Sequence, residues 1–466
     1  MKKNKITLPV TAHTDYVGPG TTFVVIQGFT TNGAQYIPQA LAQGATTIVV
    51  ETGVHIPPIS QNILVNRVSN ARQALAELSA QAWGFPARRL KIFGVTGTKG
   101  KTTTCFVLDR FLSAAGYRTG LITTAGSYIA GVPVGSFLTT PSPDHLHALL
   151  AQCVQQQVSH VVLEVSAHAL SLYRVFGIEF AGIIFTNLDQ EHQEFYSTLE
   201  EYYQAKLKIF DQRTPGAWAI VNGDNEWAVR AAQERENSII LKTPSIILDT
   251  LTELIVKIEL DPTRTVTVKT GSLCGVYNSY NIGCAVLCAY YCAHISLEIM
   301  ADALREKLIV PGRFEQILLN NRACAIIDYA HNPSSYHAVL QAVRPYTDNL
   351  IIVFGCGGER DSSKRPIMGS IAAQYGDTVI ITSDNPRSED PAVIIADIYK
   401  GVPDECKNKI VIEPDRAQAL RIGYSRSGPG SIIMILGKGP DEYQLIKGIK
   451  YPFSERVIMS TVSSGK

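Results

Sequence analysis

The sequence lacks several features that mark specialised classes of protein. Its 466 residues carry a formal net charge of +1 without a basic stripe, so electrostatics give no reason to expect a nucleic acid or an anionic membrane as partner. No uncharged apolar run reaches the roughly 18 residues of a transmembrane helix, and the start of the chain lacks the apolar core of a signal peptide. We therefore expect a cytoplasmic protein that binds neither nucleic acid nor membrane.

The sequence lacks a paired cysteine spacing among its nine cysteines. Reduced thiols of a cytosolic protein explain this usage better than a disulfide framework does. Cys284, Cys288 and Cys292 fall at i, i+4 and i+8 of a helical pattern, close to His294. This spacing permits a metal site, but the apolar neighbours favour simple packing of the helix against a core.

The most informative stretch of the chain is the glycine-rich segment at residues 91–104. It reads as a strand that ends in a turn, followed by a helix that begins at Lys101. Such turns point backbone N–H groups at phosphate oxygens, while the helix N-terminus and a lysine add positive charge. The spacing differs from the strict Walker pattern because Val95 stands where the first glycine would be. The predicted nucleotide-binding loop consists of Gly97, Thr98, Lys99, Gly100, Lys101, Thr102 and Thr103.

The whole chain reads as three α/β segments. Its length suggests roughly three domains of about 150 residues each. Strand patterns alternate with helical ones, which indicates doubly wound, largely parallel sheets with ligands at the carboxyl ends of the strands. We predict domains at residues 1–88, 89–311 and 312–466, with a linker at 82–90. The expected strands are 23–26, 46–50, 92–95, 120–123, 160–163, 182–185, 325–328, 350–354, 378–383 and 432–436.

A carboxylate follows a strand that neighbours the predicted loop. Glu164 comes directly after the strand at 160–163. At the carboxyl end of that strand it is placed to hold Mg²⁺, which Thr102 would also contact. His192 follows the strand at 182–185 and is a candidate ligand of a second metal, whereas Lys206 taken alone reads as an ordinary surface lysine.

In their order along the chain, these motifs resemble those of the Mur ligases, the ATP-dependent amide-forming enzymes of peptidoglycan precursor synthesis. The resemblance is dense from residue 91 onward and thin before it. Within the family it is greatest to the MurE subfamily, which adds the third residue of the stem peptide. The motifs that carry it are 94–103, 164–170 with 174–175, 186–188 with His192, 205–206 before Phe210, 275–281, 310–315, 328–333, 354–361 with 364–366, and 384–387.

The resemblance implies an α/β architecture of three domains. These are a small N-terminal α/β domain for the uridine nucleotide, a central P-loop domain with a parallel sheet that binds ATP, and a C-terminal Rossmann-like domain for the amino acid. It also implies that ATP phosphorylates the terminal carboxylate of UDP-MurNAc-L-Ala-D-Glu and that an amine attacks the acyl phosphate. The expected partners are this nucleotide and a diamino acid, and we expect a monomer.

The resemblance also implies roles for individual residues. Lys101, Lys206 and His192 would be catalytic, and Lys206 would be carbamylated, which turns a cation into an anion. Metal ions, Mg²⁺ in the first place, would be held by Thr102, Glu164, His192 and Lys206.

Further implied contacts lie with the nucleotide and the substrates. Asn281 would contact adenine, and Arg313 and Asp328, with His331 close by, would hold the nucleotide. For Arg313 or Asp328 taken alone, a salt bridge that joins domains is an equally good interpretation, and the phosphate loop makes the nucleotide the preferred one. The implied substrate-binding residues are Thr139, Thr140, Ser166, His168, Arg174, Arg360, Asp384, Asn385, Arg387, Gly437 and Asp441.

The resemblance implies that Arg387 selects the amino acid, and two departures from the family pattern also bear on the substrates. In the family, the Asp-Asn-Pro-Arg pattern found here at 384–387 goes with meso-diaminopimelate, whose distal carboxylate suits a planar guanidinium. However, residues 437–441 read Gly-Lys-Gly-Pro-Asp where the family has Gly-Lys-Gly-His-Glu, and residues 13–15 read His-Thr-Asp in place of Asp-Ser-Arg. Two alternatives therefore stay open: a diverged ligase with another acceptor or amino acid, and a non-catalytic, nucleotide-gated binding protein.

Overall fold

A computed structural model describes residues 6–28, 31–135, 138–191 and 195–465. Its contacts divide the chain into two compact units, residues 1–243 with 281–300 and residues 244–280 with 301–466. Within the described ranges no helix has both the length and the apolar character needed to cross a bilayer. The domain boundaries at 88/89 and 311/312 remain predictions.

The first unit begins with a small parallel sheet. Its strands are β1 (Val10–Thr11), β2 (Thr22–Val24), β3 (Thr47–Glu51) and β4 (Leu64–Val68), hydrogen-bonded in that order. Helices α1 (Ile37–Ala42) and α2 (Ala71–Ala82) accompany it. Apolar side chains of the sheet form one core cluster around Phe23 and Ile48 and another with α2 around Val24 and Leu75. A 3-10 turn at Pro86–Arg89 leads from α2 into the next strand.

An eight-stranded sheet forms the rest of the first unit. Its strands are β5 (Lys91–Thr96), β6 (Thr119–Thr123), β7 (Gly126–Ile129), β8 (Val132–Gly135), β9 (His160–Glu164), β10 (Gly182–Phe185), β11 (Ala219–Asn222) and β12 (Ser238–Leu241). Their spatial order is β12-β11-β10-β5-β9-β6-β7-β8, and the β6-β7-β8 edge is antiparallel. The helices are α3 (Lys101–Ala114), α4 (Pro143–Gln155), α5 (Ala167–Ser171), α6 (Leu199–Leu207) and α7 (Glu226–Glu234).

The following segment is an antiparallel sheet of β13 (Ser245–Asp249), β14 (Leu254–Asp261) and β15 (Arg264–Thr270), which belongs to the second unit. Helices α8 (Val276–Ala293) and α9 (Leu297–Ala303) come next along the chain. Cys284 and Cys288 are buried in α8, and a Cβ built on Gly182 of β10 would lie 2.7 Å from the sulfur of Cys292. The three thiols therefore pack the helix tightly, as the apolar interpretation expects.

A six-stranded sheet is the core of the second unit. Its strands are β16 (Glu315–Leu318), β17 (Cys324–Asp328), β18 (Leu350–Phe354), β19 (Thr378–Ile381), β20 (Ile410–Ile412) and β21 (Ile432–Leu436), in the order β16-β17-β21-β18-β19-β20. All pairs except β16-β17 are parallel. A hairpin of β22 (Tyr443–Ile446) and β23 (Ile449–Pro452) follows. The helices are α10 (Pro333–Val343), α11 (Lys364–Tyr375), α12 (Pro391–Tyr399), α13 (Arg416–Ser425) and α14 (Glu455–Ser463).

Four strands in the middle of the two large sheets are buried along their whole length. Every residue of β9, β10, β18 and β21 is buried. Parallel strands covered by helices on both faces need continuous apolar runs, which is what made them visible in the sequence. The structure confirms the α/β fold class and contains a strand at each of the ten expected places. Thirteen further strands were not expected, among them the antiparallel β7-β8, β13-β15 and β22-β23.

Candidate active site

The glycines of the phosphate loop adopt conformations that other residues cannot easily take. Gly97 has φ 143° and Gly100 has φ 81°. A Cβ on Gly97 would lie 2.0 Å from Thr186 Oγ1, and one on Gly100 would lie 2.2 Å from Asn281 Oδ1. Both positions therefore require glycine on grounds of backbone strain and of space.

The segment after β10 braces this loop. Thr98 N donates to Asn187 O at 2.9 Å, and Lys99 N donates to Asn187 Oδ1 at 2.9 Å. The Thr186 hydroxyl donates to Lys99 O at 2.6 Å, and Lys99 Nζ lies 2.7 Å from Asp189 Oδ2. Since these bonds hold Lys99 through backbone and side chain alike, the loop is ordered by neighbouring residues of the same unit.

Lys101 opens α3 and keeps its ammonium at the loop. Its Nζ donates to Thr98 O at 2.8 Å. This hydrogen bond keeps the ammonium close to the loop. Backbone N–H groups and the helix N-terminus there favour the binding of phosphate.

Glu164 lies at the carboxyl end of β9 and contacts the first turn of α3. Thr102 Oγ1 donates to Glu164 Oε2 at 2.9 Å, as does Thr124 N at 2.9 Å, and Thr124 Oγ1 donates to Oε1 at 3.1 Å. Glu164 is 2% exposed, and these three donors are uncharged. A buried carboxylate with neutral donors is a suitable partner for a cation.

Lys206 lies on the other side of the loop and is buried, contrary to its interpretation as a surface lysine. It is 1% exposed, and its Nζ donates to Gly97 O at 2.7 Å and lies 4.4 Å from the centre of the Tyr202 ring. Burial first, and then the charge of Lys101, lower the pKa of the Lys206 ammonium well below that of an ordinary lysine. Because a carbamate forms from the neutral amine and CO₂, a lowered pKa at this position fits the implied carbamate.

The oxygen donors at this site suit Mg²⁺. Among residues 6–28, 31–135, 138–191 and 195–465, no cluster of three His, Cys, Asp or Glu side chains is arranged as a metal site. Mg²⁺ needs no such cage, because it is usually bound through one or two carboxylates, substrate phosphates and water. Glu164 and Thr102 therefore fit it, while His192 lies outside the described residues.

Several residues implied in substrate binding converge next to Glu164. Thr140 Oγ1 donates to Glu164 O at 2.8 Å and accepts from Ser166 N at 3.1 Å. Arg174 Nη1 donates to Thr140 O at 3.0 Å. Thr139 Oγ1 is 3.0 Å from the Thr124 hydroxyl. The structure thus joins residues from four separate segments at one edge of the sheet.

Two other predicted residues of this unit have different surroundings. His168 packs its ring against Phe195, with centroids 4.4 Å apart. Asn281 lies beside the loop, where its Oδ1 is 3.4 Å from Thr104 Oγ1. Its position next to Gly100 places it at the start of α3.

Residues 13–15, which depart from the family pattern, form a short turn. Thr14 is 9% exposed, and the side chains of His13 and Asp15 are 63% and 74% exposed. The next residue, Tyr16, packs its ring edge-on against His145, with centroids 4.4 Å apart. This turn therefore lies near the first turn of α4.

In the second unit, Asp328 ends β17 and is held by backbone groups. Phe314 N donates to Asp328 Oδ2 at 2.7 Å, and Ala330 N donates to Oδ1 at 2.8 Å. Burial raises the pKa of Asp328, while the nearby Arg313 guanidinium opposes that rise. Arg313 also lies 4.4 Å over the Tyr329 ring, and His331 Nδ1 is 2.7 Å from Tyr329 O. Asp328, Arg313, Tyr329 and His331 thus form one cluster at the carboxyl end of β17.

Asn385 connects the predicted specificity residues of the second unit. Its Oδ1 accepts from Lys438 Nζ at 3.0 Å and from Leu445 N at 2.9 Å, and its Nδ2 donates to Asp441 Oδ2 at 3.4 Å. Lys438 is fully buried and lies 3.8 Å from Asp384 Oδ1. Burial lowers the pKa of Lys438 and raises that of Asp441. A buried lysine thus organises the acidic groups of the two loops.

Arg387 is fixed by its backbone. It has φ 54°, its N donates to Leu445 O at 3.0 Å, and its O accepts from Lys447 N at 2.7 Å. Its Nη1 donates to Gly358 O. Arg360 is exposed and lies close by: a Cβ on Gly357 would be 3.0 Å from Arg387 Nη1 and 3.7 Å from Arg360 Cγ. A Cβ on Gly437 would lie 2.5 Å from Asp384 Oδ2, so this glycine leaves room for the carboxylate.

Sequence reasoning missed residues that support these loops. Arg416 is buried and donates to Glu455 Oε1 at 2.7 Å, to Leu436 O at 2.8 Å and to Ser383 O at 3.2 Å. It therefore ties together the ends of β21 and β19, which carry the loops 437–441 and 383–387. Thr124 was also missed, although its position directly after β6 was a usable signal.

Comparisons with known proteins agree with this arrangement. The chain matches family models described as "Mur ligase family, catalytic domain" at residues 10–83, "Mur ligase middle domain" at 95–289 and "Mur ligase, glutamate ligase domain" at 312–439. It is 36% identical to UDP-N-acetylmuramoyl-L-alanyl-D-glutamate--2,6-diaminopimelate ligase of Clostridium perfringens, over 96% of this chain and 93% of the relative. The ligase of the same name from Aquifex aeolicus is 35% identical, over 98% and 93% of the two chains.

Solved structures give the same result. A structure of UDP-N-acetylmuramoyl-L-alanyl-D-glutamate--2,6-diaminopimelate ligase superposes with a TM-score of 0.65 at 27% identity, covering 98% of this chain and 95% of the other. MurF ligase from Thermotoga maritima in complex with ADP shares the fold, with a TM-score of 0.64 at 18% identity over 93% and 95% of the two chains. With relatives at this identity along nearly its whole length, the chain belongs to the Mur ligase family.

Proposed function

We propose that this protein is an ATP-dependent, ADP-forming carboxylate-amine ligase that adds meso-diaminopimelate to UDP-MurNAc-L-Ala-D-Glu in peptidoglycan precursor synthesis. One observation carries the proposal: buried Glu164 and buried Lys206 flank a phosphate loop in a chain that resembles ligases named for this reaction along 96% of its length. A phosphate loop with these two side chains beside it suits a reaction in which a carboxylate must approach the phosphates of ATP.

The proposed reaction has two steps. An oxygen of the terminal carboxylate attacks the γ-phosphorus of ATP, and the bond from that phosphorus to the β-γ bridging oxygen breaks, which releases ADP. The amine nitrogen then attacks the carbonyl carbon of the acyl phosphate, the C–N bond forms, the C–O bond to phosphate breaks, and the nitrogen loses a proton. Both steps bring negatively charged groups close together. Cations and N–H groups that are already in position stabilise this charge.

Residues of the first unit would supply that stabilisation. Lys101 and the backbone N–H groups of the loop would hold the phosphates. Thr102 and Glu164 would hold Mg²⁺, which when bound neutralises phosphate charge. Lys206, whose pKa is lowered by burial, would carry the carbamate, and His192 remains a predicted ligand of a second metal. Asn281 would contact the nucleotide close to the loop.

Other predicted residues keep their proposed roles as well. We assign Arg313, Asp328 and His331 to the nucleotide, and Arg387 and Asp441 to the two ends of the amino acid. The residues assigned to the uridine substrate are Thr139, Thr140, Ser166, His168 and Arg174, and those assigned with Arg387 to the amino acid are Arg360, Asp384, Asn385 and Gly437.

The three predicted domains would divide the substrates between them. Residues 1–88 would bind the uridine nucleotide, residues 89–311 ATP, and residues 312–466 the amino acid, with the residues assigned above from 139–174 also contacting the uridine substrate and those from 313–331 also contacting ATP. We infer a cytoplasmic location from the nine free thiols and from the need for ATP. A monomer is sufficient, because one chain supplies all the residues assigned here.

The test is to incubate the purified protein with ATP, Mg²⁺, UDP-MurNAc-L-Ala-D-Glu and one amino acid at a time, and to follow phosphate release and product mass. We expect the tripeptide nucleotide with meso-diaminopimelate and little with L-lysine, because Arg387 suits a distal carboxylate. Lys206→Met serves as the inactive control. Absence of product with every amine would refute the proposal, and binding of ATP without turnover would favour a binding protein. Product formed with another amine or acceptor would identify a diverged ligase.

A further inference from the structure

We propose that Tyr329 is a positioning residue shared by two groups of substrate-binding residues, the nucleotide cluster (Arg313, Asp328 and His331) and the loop 437–441 of the amino-acid end. The proposal rests on the function proposed above and adds to it. Its consequence is that loss of one aromatic ring weakens the binding of ATP and of the amino acid together.

Three segments meet at the carboxyl end of β17 because of how the sheet is connected. β17 runs parallel to β21 and pairs with it along the whole of both strands, so the chain leaves both strands at the same edge. β16 runs antiparallel to β17 and therefore begins where β17 ends. The segment 310–314 before β16, Tyr329 after β17 and the loop 437–441 after β21 thus lie at one edge of the sheet.

Backbone hydrogen bonds tie the end of β17 to both flanking segments. Tyr329 N donates to Gly312 O at 2.9 Å. On the other side, Gly437 N donates to Asp328 O at 3.1 Å. The flanking segments also touch each other, since a Cβ built on Gly312 would lie 2.2 Å from Pro440 N. A displacement of one segment is therefore passed to the others through direct contact.

The Tyr329 side chain contacts both groups of residues. The Arg313 guanidinium lies over its ring, 4.4 Å from the centre. His331 packs its own ring edge-on against Tyr329, with centroids 4.9 Å apart. A Cβ built on Gly439 would lie 2.6 Å from Tyr329 Cβ and 2.9 Å from Cδ2, so an edge of the ring lies directly against this glycine. One aromatic ring therefore supports the nucleotide cluster and the loop 437–441 at the same time.

The charges around the ring agree with this placement. Burial first, and then the charge of Asp441, raises the pKa of the Tyr329 hydroxyl to about 12, while Arg313 opposes the rise. The hydroxyl thus stays neutral between a cation of the nucleotide cluster and a carboxylate of the loop 437–441. A neutral, half-buried ring can hold a guanidinium by a cation–π contact without adding a charge of its own near Asp441.

The test compares Tyr329→Leu, which removes the aromatic ring, with Tyr329→Phe, which keeps it. Calorimetry on the full-length protein gives the dissociation constant of ATP, and steady-state kinetics give KM for meso-diaminopimelate and for UDP-MurNAc-L-Ala-D-Glu. Tyr399→Leu is the matched control, since Tyr399 ends α12 of the same unit and also carries a cation, Lys407, 5.8 Å from its ring centre. Tyr329→Met takes the place of the leucine variant if that variant does not fold.

We expect Tyr329→Leu to weaken ATP binding by about three- to thirtyfold, the range for loss of a cation–π contact. KM for meso-diaminopimelate should rise at least about threefold, because the loop 437–441 loses the ring that positions it. KM for UDP-MurNAc-L-Ala-D-Glu should stay within about twofold, since its assigned residues lie elsewhere. Tyr329→Phe and Tyr399→Leu should stay within about twofold of the wild type in all three measurements.

Double-mutant cycles separate positioning from general damage to the fold. If Tyr329 acts through Arg313, Tyr329→Leu should weaken ATP binding by less than about twofold in an Arg313→Ala background. Likewise, Asp441→Asn should remove most of the effect of Tyr329→Leu on KM for the amino acid. Effects that simply multiply in both backgrounds would mean that Tyr329 does not act through these residues, and they would overturn the proposal.

Hydrogen exchange tests the same contact without substrates. The backbone N–H groups of the loop 437–441 should exchange faster in Tyr329→Leu, since bonds such as that from Gly437 N to Asp328 O open more often. In Tyr399→Leu they should exchange at the wild-type rate. Unchanged exchange in Tyr329→Leu, unchanged affinities, or a loss confined to one of the two substrates would refute the proposal.

Failure of the proposed function has a different signature. If the wild type forms no product with any amine, the function is wrong, but ATP binding and hydrogen exchange need neither amine nor turnover. Weaker ATP binding through Arg313 together with faster exchange in the loop 437–441 would then still support the role of Tyr329. If either of them is unchanged in Tyr329→Leu, that role is refuted.

Discussion

Replacing Lys206 with methionine separates what this side chain does in the reaction from what it does in the fold. Methionine keeps a long, unbranched, apolar stem and removes Nζ, which donates to Gly97 O at 2.7 Å from a position 1% exposed to solvent. Because the stem still fills the same space, we expect the variant to fold as the wild type does.

Two opposing effects determine the free energy of unfolding of Lys206→Met. Loss of the bond to Gly97 O costs about 1–3 kcal/mol if that carbonyl stays buried without a donor. Removal of a buried amine, whose pKa burial and Lys101 lower, offsets this cost because burying an ionisable amine is itself unfavourable. We therefore expect a net change within about 2 kcal/mol, measured by urea unfolding.

The pH dependence of this difference has a definite sign. The folded-state pKa of Lys206 lies below the ordinary value of 10.5, so the unfolded chain binds the extra proton between the two values. Wild-type stability therefore rises with pH in that window, and Lys206→Met lacks this contribution. Relative to the wild type, the variant should lose stability as the pH is raised toward 10.5.

The reaction should respond far more strongly than the fold. We expect kcat for phosphate release to fall at least about 10²–10³-fold, the usual effect of removing a positioned electrostatic group from an active site. Lys208→Met is the matched control, since Lys208 is exposed and two residues away. Partial rescue of Lys206→Ala by acetate would support an anion at this position. A stable Lys206→Met variant with kcat within tenfold of the wild type would refute the reasoning.

Three further predictions concern the loop, a buried ion pair and acid stability. Gly97→Ala should abolish ATP binding in calorimetry, because its φ of 143° and a Cβ 2.0 Å from Thr186 Oγ1 are incompatible with alanine. Arg416→Met should lower the free energy of unfolding in urea by about 3–5 kcal/mol by leaving Glu455 buried and unpaired, and Arg416→Met/Glu455→Leu should recover most of it. Burial lowers the pKa of His147 to about 4, so between pH 6.5 and 4 the unfolded chain binds a proton that the folded chain does not. The free energy of unfolding in urea should therefore fall by up to about 3 kcal/mol as the pH drops from 6.5 toward 4, and by less in His147→Leu.

The phosphate loop and the buried strands could be predicted because their signals are local. The glycine-rich turn that contains Gly97 and Gly100, the apolar runs of β18 and β21 and the carboxylate after β9 all follow from residues close together in the chain. Such patterns depend on backbone sterics and burial, which short stretches of sequence specify.

The rest of the candidate site depends on contacts between distant residues. Lys206 reads as a surface lysine because nothing beside it reveals that Gly97, 109 residues away, accepts its hydrogen bond. Arg416 meets Glu455 over 39 residues, and Thr140 meets Arg174 over 34. Composition and periodicity carry no information on such pairings, so the burial of these charges could be seen in the folded chain and not in the sequence.

The amino-acid end of the second unit shows how such contacts constrain specificity. The two hydrogen bonds to Asn385 Oδ1 come from Lys438 and from Leu445 N, and its amide nitrogen faces Asp441. With that oxygen already accepting two bonds, Asn385 acts by positioning the Asp441 carboxylate, which is one methylene shorter than the glutamate of the family pattern. Arg387 is bound at its backbone to the same hairpin, β22-β23. If Arg387 and Asp441 hold the two ends of the amino acid as proposed, the length of diamino acid that fits between them is therefore set by the hairpin as much as by the two side chains.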